Sequence, residues 1–387
     1  MDVQALRDCL PITNEVVYMN TGWAGPTPSP VLQRISETLE REAQIGPASA
    51  AGLAFTRGLT EEARVAIAGL LGAQAEDVCI THSTTEGVNV VLHGMEWKPG
   101  DELLTCDLEH PALVVPSGVL AERYGVKVVQ PNVGPQAGQG EILEAVVSAL
   151  TPKTRLVALS HIQFTCGLLM PVREIARAAH ERGVPFLVDG AQSAGQLEVD
   201  VEELGCDFYA LSGQKWLMGP VGTGALYVRS EYRERLEPLF TTNAIADNRS
   251  QGRSPLSRFA VASQSPGLVA GFTEAVRIAA ETGMAHIEAH VMATGNLLRE
   301  TVASIQGCTL LSPELSESAC GLVAVGLAGW SPDEAVAELQ EQSGIVARVV
   351  HNPDGVRFST AYFNTEQEVE QVAAVLERMA TEGQARR

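Results

Sequence analysis

Short apolar runs alternate along most of the chain with longer stretches that carry acidic and basic residues on one helical face. Strands are predicted at 78–81, 102–105, 127–130, 156–160, 186–189, 208–211 and 225–228, where β-branched and aromatic residues lie between turn-forming ones. The crossovers between them, such as 171–182, read as amphipathic helices. That alternation is the pattern of an α/β fold with a largely parallel sheet.

The pattern breaks between Phe240 and Gln264, a polar stretch rich in Gly, Pro and Arg that reads as a functional loop. Helix is expected over 267–282 and on to about 305. Beyond it the periodicity predicts a strand at 321–327 and a helix opened by the capping box Ser331-Pro332-Asp333-Glu334. Strands at 345–350 and 356–359 and a last helix after Thr365 complete the set. Residues 383–387 are expected to fray. The chain thus divides into an N-terminal arm (1–20), a large domain (21–265), and a smaller C-terminal domain with its linking helix (266–387).

Composition narrows the function classes. At 387 residues with 45% hydrophobic content, the chain is large enough for two packed cores. A net charge of −20 repels phosphate backbones and anionic lipid, which speaks against nucleic acid and membrane surfaces as partners. Seven scattered cysteines, with no C-x-x-C pair and no spaced histidines, point to reduced thiols in a cytoplasmic protein rather than to disulfides or a metal site. With no basic stretch leading into an apolar run, the N-terminus is not expected to be a secretion signal, and no uninterrupted apolar stretch is long enough to span a bilayer.

The chemistry concentrates at two strand ends. Asp189 closes the apolar run Phe186-Leu187-Val188, and Lys215 follows the next strand in Ser212-Gly213-Gln214-Lys215-Trp216. Alone, a strand-end Asp usually caps a turn and a Lys beside glycine is usually solvated. Together they suggest pyridoxal phosphate, because a lysine can hold the cofactor aldehyde as a Schiff base while a carboxylate keeps the pyridine nitrogen protonated. Ser212-x-x-Lys215 also fits a serine acyl-transfer signature, but the accompanying Ser-Asp-Asn and Lys-Thr-Gly elements are missing. No G-x-G-x-x-G follows a strand, so nothing supports a dinucleotide site.

Set side by side, several segments carry a family resemblance: Tyr18-Met19-Asn20-Thr21-Gly22, Thr81-His82-Ser83-Thr84-Thr85-Glu86-Gly87, Glu109-His110-Pro111, Ser160-His161, and Val188-Asp189-Gly190-Ala191-Gln192. The Lys215 segment, Gly219-Pro220-Val221-Gly222-Thr223-Gly224 and Arg357-Phe358-Ser359 continue the order. The chain resembles the class V aminotransferase group of fold type I pyridoxal phosphate enzymes, which includes cysteine desulfurases, isopenicillin epimerases and cysteine/cystine C-S lyases. This resemblance implies a large domain on a mostly parallel seven-stranded sheet, and a smaller α+β C-terminal domain.

It also implies roles. Thr84 and Thr85, in a capping box Ser83-x-x-Glu86, contact the cofactor phosphate at a helix N-terminus, together with Ser212 and Gln214. His110 lies against the pyridine ring, and Gln192 reaches the phenolic oxygen. Arg357 binds the substrate carboxylate, Arg348 is a second clamp, and Asn20 joins the substrate site. Ser263 matches a position from which a neighbouring subunit touches the phosphate, which implies a homodimer with a shared site. Two departures stand out. Gln214 replaces a histidine usual in relatives, and Phe164-Thr165-Cys166 occupies a loop where relatives place Asn, so that Thr165 takes over that contact.

A cysteine desulfurase needs a thiol on the loop entering the C-terminal arginine strand, and residues 349–355 contain no Cys. The wording around Asp189 and Lys215 is instead similar to the C-S lyases. The resemblance therefore implies β-elimination on L-cystine, cysteine or an S-substituted cysteine. An aminotransferase or epimerase acting on another amino acid, or a desulfurase-like sulfur-relay protein, remains the alternative.

Overall fold

The computed structural model describes residues 2–240, 255–261, 264–314 and 317–385. The strands are β1 Val17–Tyr18, β2 Val78–Thr81, β3 Glu102–Leu104, β4 Lys127–Val129, β5 Thr154–Ser160, β6 Phe186–Asp189, β7 Phe208–Ser212, β8 Gly224–Val228, β9 Cys308–Leu310, β10 Leu322–Leu327, β11 Ile345–Val346, β12 Arg348–Val350 and β13 Gly355–Ser359. All seven strands expected before residue 240 join one sheet in the order β2-β8-β7-β6-β5-β3-β4. β7, β6, β5, β3 and β4 run parallel; β8 is antiparallel to both neighbours.

β6, β7 and β8 are buried along their whole length, as continuous apolar runs require when helices cover both sheet faces. One core cluster, on one face, gathers Val157, Leu159, Val188 and Tyr209. The other holds Ala158, Leu187, Phe208 and Leu226. The helix Pro266–Thr282 contributes Val269, Phe272 and Val276 to the first of these cores, so physically it belongs with the larger sheet.

A four-stranded antiparallel sheet, β12-β13-β10-β9, forms a third core with the helices Met284–Ser304, Pro332–Ser343 and Glu366–Ala385. The single strand expected at 345–350 is two strands. Ile345–Val346 pairs in parallel with β1, whereas Arg348–Val350 pairs antiparallel with β13, so the chain changes partner at Ala347. The N-terminal segment is held there as well, since Val17 and Met19 bury in the third core and Arg7 pairs with Glu368 at 2.9 Å.

Two expectations are corrected. The last helix does not fray at 383: it runs to Ala385, and Gly383 packs so closely on the Ala328 carbonyl that a Cβ would overlap it. The Ser83 box forms on one side only. Ser83 Oγ caps the Glu86 N–H at 3.2 Å, but the Glu86 carboxylate turns to the His82 N–H and ring, both at 2.8 Å. Much of the expected 240–264 loop, including Ser263, lies outside the described residues. Among the described residues no helix is long and apolar enough to cross a membrane.

Candidate active site

The parallel strands deliver their C-terminal ends to one edge of the larger sheet, where open α/β sheets bind ligands. Asp189 is the last residue of β6 and is buried. Its Oδ1 accepts the Ala191 N–H at 2.9 Å. The turn is so tight that a Cβ on Gly190 would overlap the Tyr209 ring. Burial raises the Asp189 pKa, and the nearby Lys215 charge and the Ala191 hydrogen bond oppose that rise.

Lys215 sits in the turn after β7, fixed from both sides. Gly25 N–H donates to the Gln214 carbonyl at 2.7 Å, and the buried Trp216 donates its indole N–H to Gln192 Oε1 at 2.8 Å. Burial brings the Lys215 pKa down to about 8; Asp189 resists, while Arg357 and Arg348 add to the fall. An amine poised there loses its proton readily near neutral pH, as a nucleophile must.

Beside it, the helix Thr84–Gly94 aims its N-terminus at the same space. The Thr84 N–H donates to Ser212 Oγ at 3.0 Å, and the two hydroxyls lie 2.7 Å apart, so the strand end and helix start are clasped together. With the Thr84 and Glu86 amides already engaged, it is the positive end of the helix dipole that suits a phosphate.

His110 caps the helix Pro111–Tyr124, its Nδ1 accepting the Ala112 N–H at 3.0 Å. The imidazole is thereby the neutral tautomer with its proton on Nε2. Burial lowers its pKa to about 4, helped by the charges on Lys215, Arg348 and Arg357. Its ring meets Phe164 edge-on at 4.7 Å.

Arg348 and Arg357 are directly opposed across β12 and β13. Arg357 is fully buried and donates Nη1 to the Phe164 carbonyl at 2.7 Å; among the described residues its buried Nε and Nη2 have no partner. The Arg348 guanidinium stacks 3.4 Å over the Trp23 ring. Burial lowers both, Arg348 to about 10 and Arg357 to about 9.

These groups wall a cavity of about 260 Å³: Lys215, Asp189 and His110; Thr84, Thr85, Ser212 and Gln214; Gln192, Arg348 and Arg357. Gln192 faces it with its amide already engaged, Nε2 to the Gly22 carbonyl at 2.9 Å and Oε1 to Trp216. Two expected residues are elsewhere. Thr165 donates to the Asn352 carbonyl at 2.9 Å, and it is Phe164 that faces the cavity. Asn20 lies behind the wall in an isolated bridge with Ser359, while Gly22 and Trp23 take the cavity side. Phe164 and Trp23 went unforeseen, although each is next to a motif, because a turn's geometry decides which side chain faces inward.

All seven cysteines are unpaired; Cys9 and Cys308 are half-buried, the rest buried, and none is on the cavity wall. The wall suits pyridoxal phosphate on its own chemistry. It offers an amine, a carboxylate, a helix N-terminus, and buried polar atoms that have no partner among the described residues, at Gln214 Oε1 and on the Arg357 guanidinium.

Comparison with known proteins agrees with this chemistry. Residues 17–372 match the family described as aminotransferase class-V. A probable cysteine desulfurase from Methanothermobacter thermautotrophicus is 31% identical, over 99% of each chain. Isopenicillin N epimerase from Streptomyces clavuligerus is 30% identical, over 98% of this chain and 99% of the other. The cystine C-S lyase C-DES, solved with its product cysteine persulfide, superposes with a TM-score of 0.88 at 27% identity, covering 96% of this chain and 99% of that one. Another structure of that lyase holds glycine covalently linked to its PLP cofactor.

Proposed function

Because this chain belongs to the class V aminotransferase family, we propose that it is a pyridoxal phosphate-dependent C-S lyase acting on L-cystine or an S-substituted cysteine. The carrying observation is that the cavity holds the amine, the acid and two arginines, one of them with buried Nε and Nη2 groups lacking a partner among the described residues, while none of the seven cysteines reaches its wall. A route that parks sulfur on a protein thiol has no thiol to use there. Elimination needs none.

The bound cofactor supplies a protonated ring that accepts the electron pair left at the substrate α-carbon. Lys215 would hold its aldehyde, Asp189 its ring nitrogen, His110 one ring face, Gln192 its phenolic oxygen, and Thr84, Thr85, Ser212 and Gln214 its phosphate. Ser263 would complete the phosphate site from a second copy of the chain. In this reading residues 1–20 are an arm, 21–265 hold the cofactor, and 266–387 bring in the arginines. The protein works as a cytoplasmic homodimer.

Arg357 orients the substrate by its carboxylate, a fork-to-fork match that its free Nε and Nη2 favour. Arg348 closes the same side, with Trp23 beneath it. With the α-carbon so placed, Lys215 Nζ takes its proton, and the Cβ–S bond breaks with the electron pair leaving on sulfur. For cystine, one water is consumed overall, and the products are pyruvate, ammonia and cysteine persulfide. His110 stays neutral throughout, contributing packing and an Nε2 proton donor without positive charge.

The test is product analysis. With L-cystine and no added keto acid, the enzyme should release pyruvate and ammonia continuously, and a variant with all seven cysteines replaced should do so too. Alanine as the main product, or a folded, cofactor-loaded cysteine-free variant without activity, refutes the lyase reading. Similarity to the isopenicillin N epimerase keeps a second reading in view, in which Lys215 returns the proton instead. Solvent deuterium in recovered, inverted amino acid without pyruvate would favour it.

A further inference from the structure

Behind the cavity wall lies a buried carboxylate that the proposed chemistry does not use. Glu109 Oε1 accepts the Ser160 N–H at 2.9 Å, Gln163 Nε2 at 3.0 Å and the Cys106 thiol at 3.3 Å, and Oε2 accepts the Ser160 hydroxyl at 2.5 Å. Burial raises its pKa; hydrogen bonds from Ser160 and Gln163 oppose the rise, and the nearby Asp189 charge adds to it. Burying a carboxyl here costs stability that an apolar side chain of similar shape would not. The donors show what is gained in return.

They come from the two segments that frame the site. Cys106 and Glu109 belong to the turn after β3, which ends in His110; Ser160 and Gln163 belong to the end of β5 and the turn after it, which continues into Phe164. Glu109 and Gln163, hydrogen-bonded to each other, are each one residue ahead of the two rings that meet edge-on at 4.7 Å. The Phe164 carbonyl in turn holds Arg357 Nη1, and Ser160 is the direct neighbour of Asp189 in the sheet. One carboxylate therefore ties together the supports of His110, Phe164 and Arg357.

We propose that Glu109 is a positioning residue: its four-donor clasp sets the orientation of the His110 imidazole and, through Gln163 and Phe164, the placement of Arg357. This rests on the cavity being the amino-acid site, but not on which reaction follows. A hydrogen-bond clasp depends on acceptors more than on net charge, so Glu109→Gln should largely preserve it. A Gln amide oxygen can accept from Ser160 N–H and Gln163, and its NH2 can donate to the Ser160 hydroxyl. Glu109→Ala removes the clasp entirely.

The test reads the imidazole directly, in ¹⁵N-histidine-labelled protein without cofactor. Wild type should show His110 as a single neutral tautomer protonated at Nε2, titrating only near about 4. In Glu109→Ala the tautomer signal should broaden or split and the midpoint should move up toward the ordinary histidine range. Holoenzyme affinity for glycine should also weaken by roughly 10- to 100-fold, the scale of losing a hydrogen bond to a charged group. Glu109→Gln should stay near wild type on both measures. If Glu109→Ala does not fold, Gln163→Ala, which removes a single donor, should give the same changes in smaller degree. Wild-type His110 signals and glycine affinity in either folded variant overturn the proposal, as does Glu109→Gln behaving like Glu109→Ala. Alanine as the product from cystine would sink the lyase reading while leaving the imidazole result untouched.

Discussion

Replacing Arg357 with Met should stabilise the cofactor-free protein while crippling its hold on amino acids. The guanidinium is fully buried, faces Arg348 across two strands, and among the described residues has one acceptor, the Phe164 carbonyl. Burial, with Arg348 adding to it, places its pKa at about 9 against 12.5 for a free arginine. That gap corresponds to roughly 5 kcal/mol of destabilisation, at about 1.4 kcal/mol per pH unit. The folded value lies below the unfolded one, so the cost is fully present below pH 9 and fades as pH rises from there toward 12.5. Met fills much of the same space but leaves the Phe164 carbonyl without its donor, which costs about 1–3 kcal/mol. The balance is a gain of about 2–4 kcal/mol at neutral pH, read as a higher melting temperature whose advantage shrinks above pH 9. Substrate binding moves the other way. Losing one partner of a desolvated charge pair costs about 2–5 kcal/mol, or roughly 30- to 4,000-fold in affinity. Thermal unfolding of the cofactor-free protein and equilibrium titration of the holoenzyme with glycine measure the two halves. A variant that melts below wild type refutes the burial argument. Affinity within about threefold of wild type, under 1 kcal/mol, refutes the carboxylate role.

Lys215→Ala should abolish the borohydride-reducible cofactor linkage without altering the far-ultraviolet circular dichroism. Peptide mapping of the reduced wild type checks it, and label on Lys98 or Lys153 would move the attachment point. Asp189→Asn should keep the cofactor, since Thr84, Ser212 and the helix N-terminus are untouched. Its turnover should fall by roughly a hundredfold or more, the scale of losing one preorganised electrostatic contact. A near-wild-type rate in a loaded Asp189→Asn variant would remove the electron-sink argument.

The strands of the larger sheet are legible in the sequence to within about two residues, as are the placement of Asp189 at the end of one strand and of Lys215 in the turn after the next. Both were legible because an apolar run and the turn that stops it are local signals, set by which side chains must leave water and where the backbone must bend. The capping box at Ser331 was legible for the same reason.

Tertiary structure decided what local signals cannot carry. β1 is two residues long and is a strand only because β11 lies beside it, and the 345–350 segment divides because two different sheets claim its halves. Whether Phe164 or Thr165, Trp23 or Asn20, faces the cavity depends on turn geometry fixed by distant partners such as Asn352, Gln192 and Ser359. Arg357 meets Lys215 only because the smaller sheet docks on the larger, and the charges brought together there shift one another's proton affinities. Burial and proximity are properties of the packed chain, so the site's residue types could be read from the sequence, whereas its electrostatics and its supports, Glu109 among them, arise only once the segments converge.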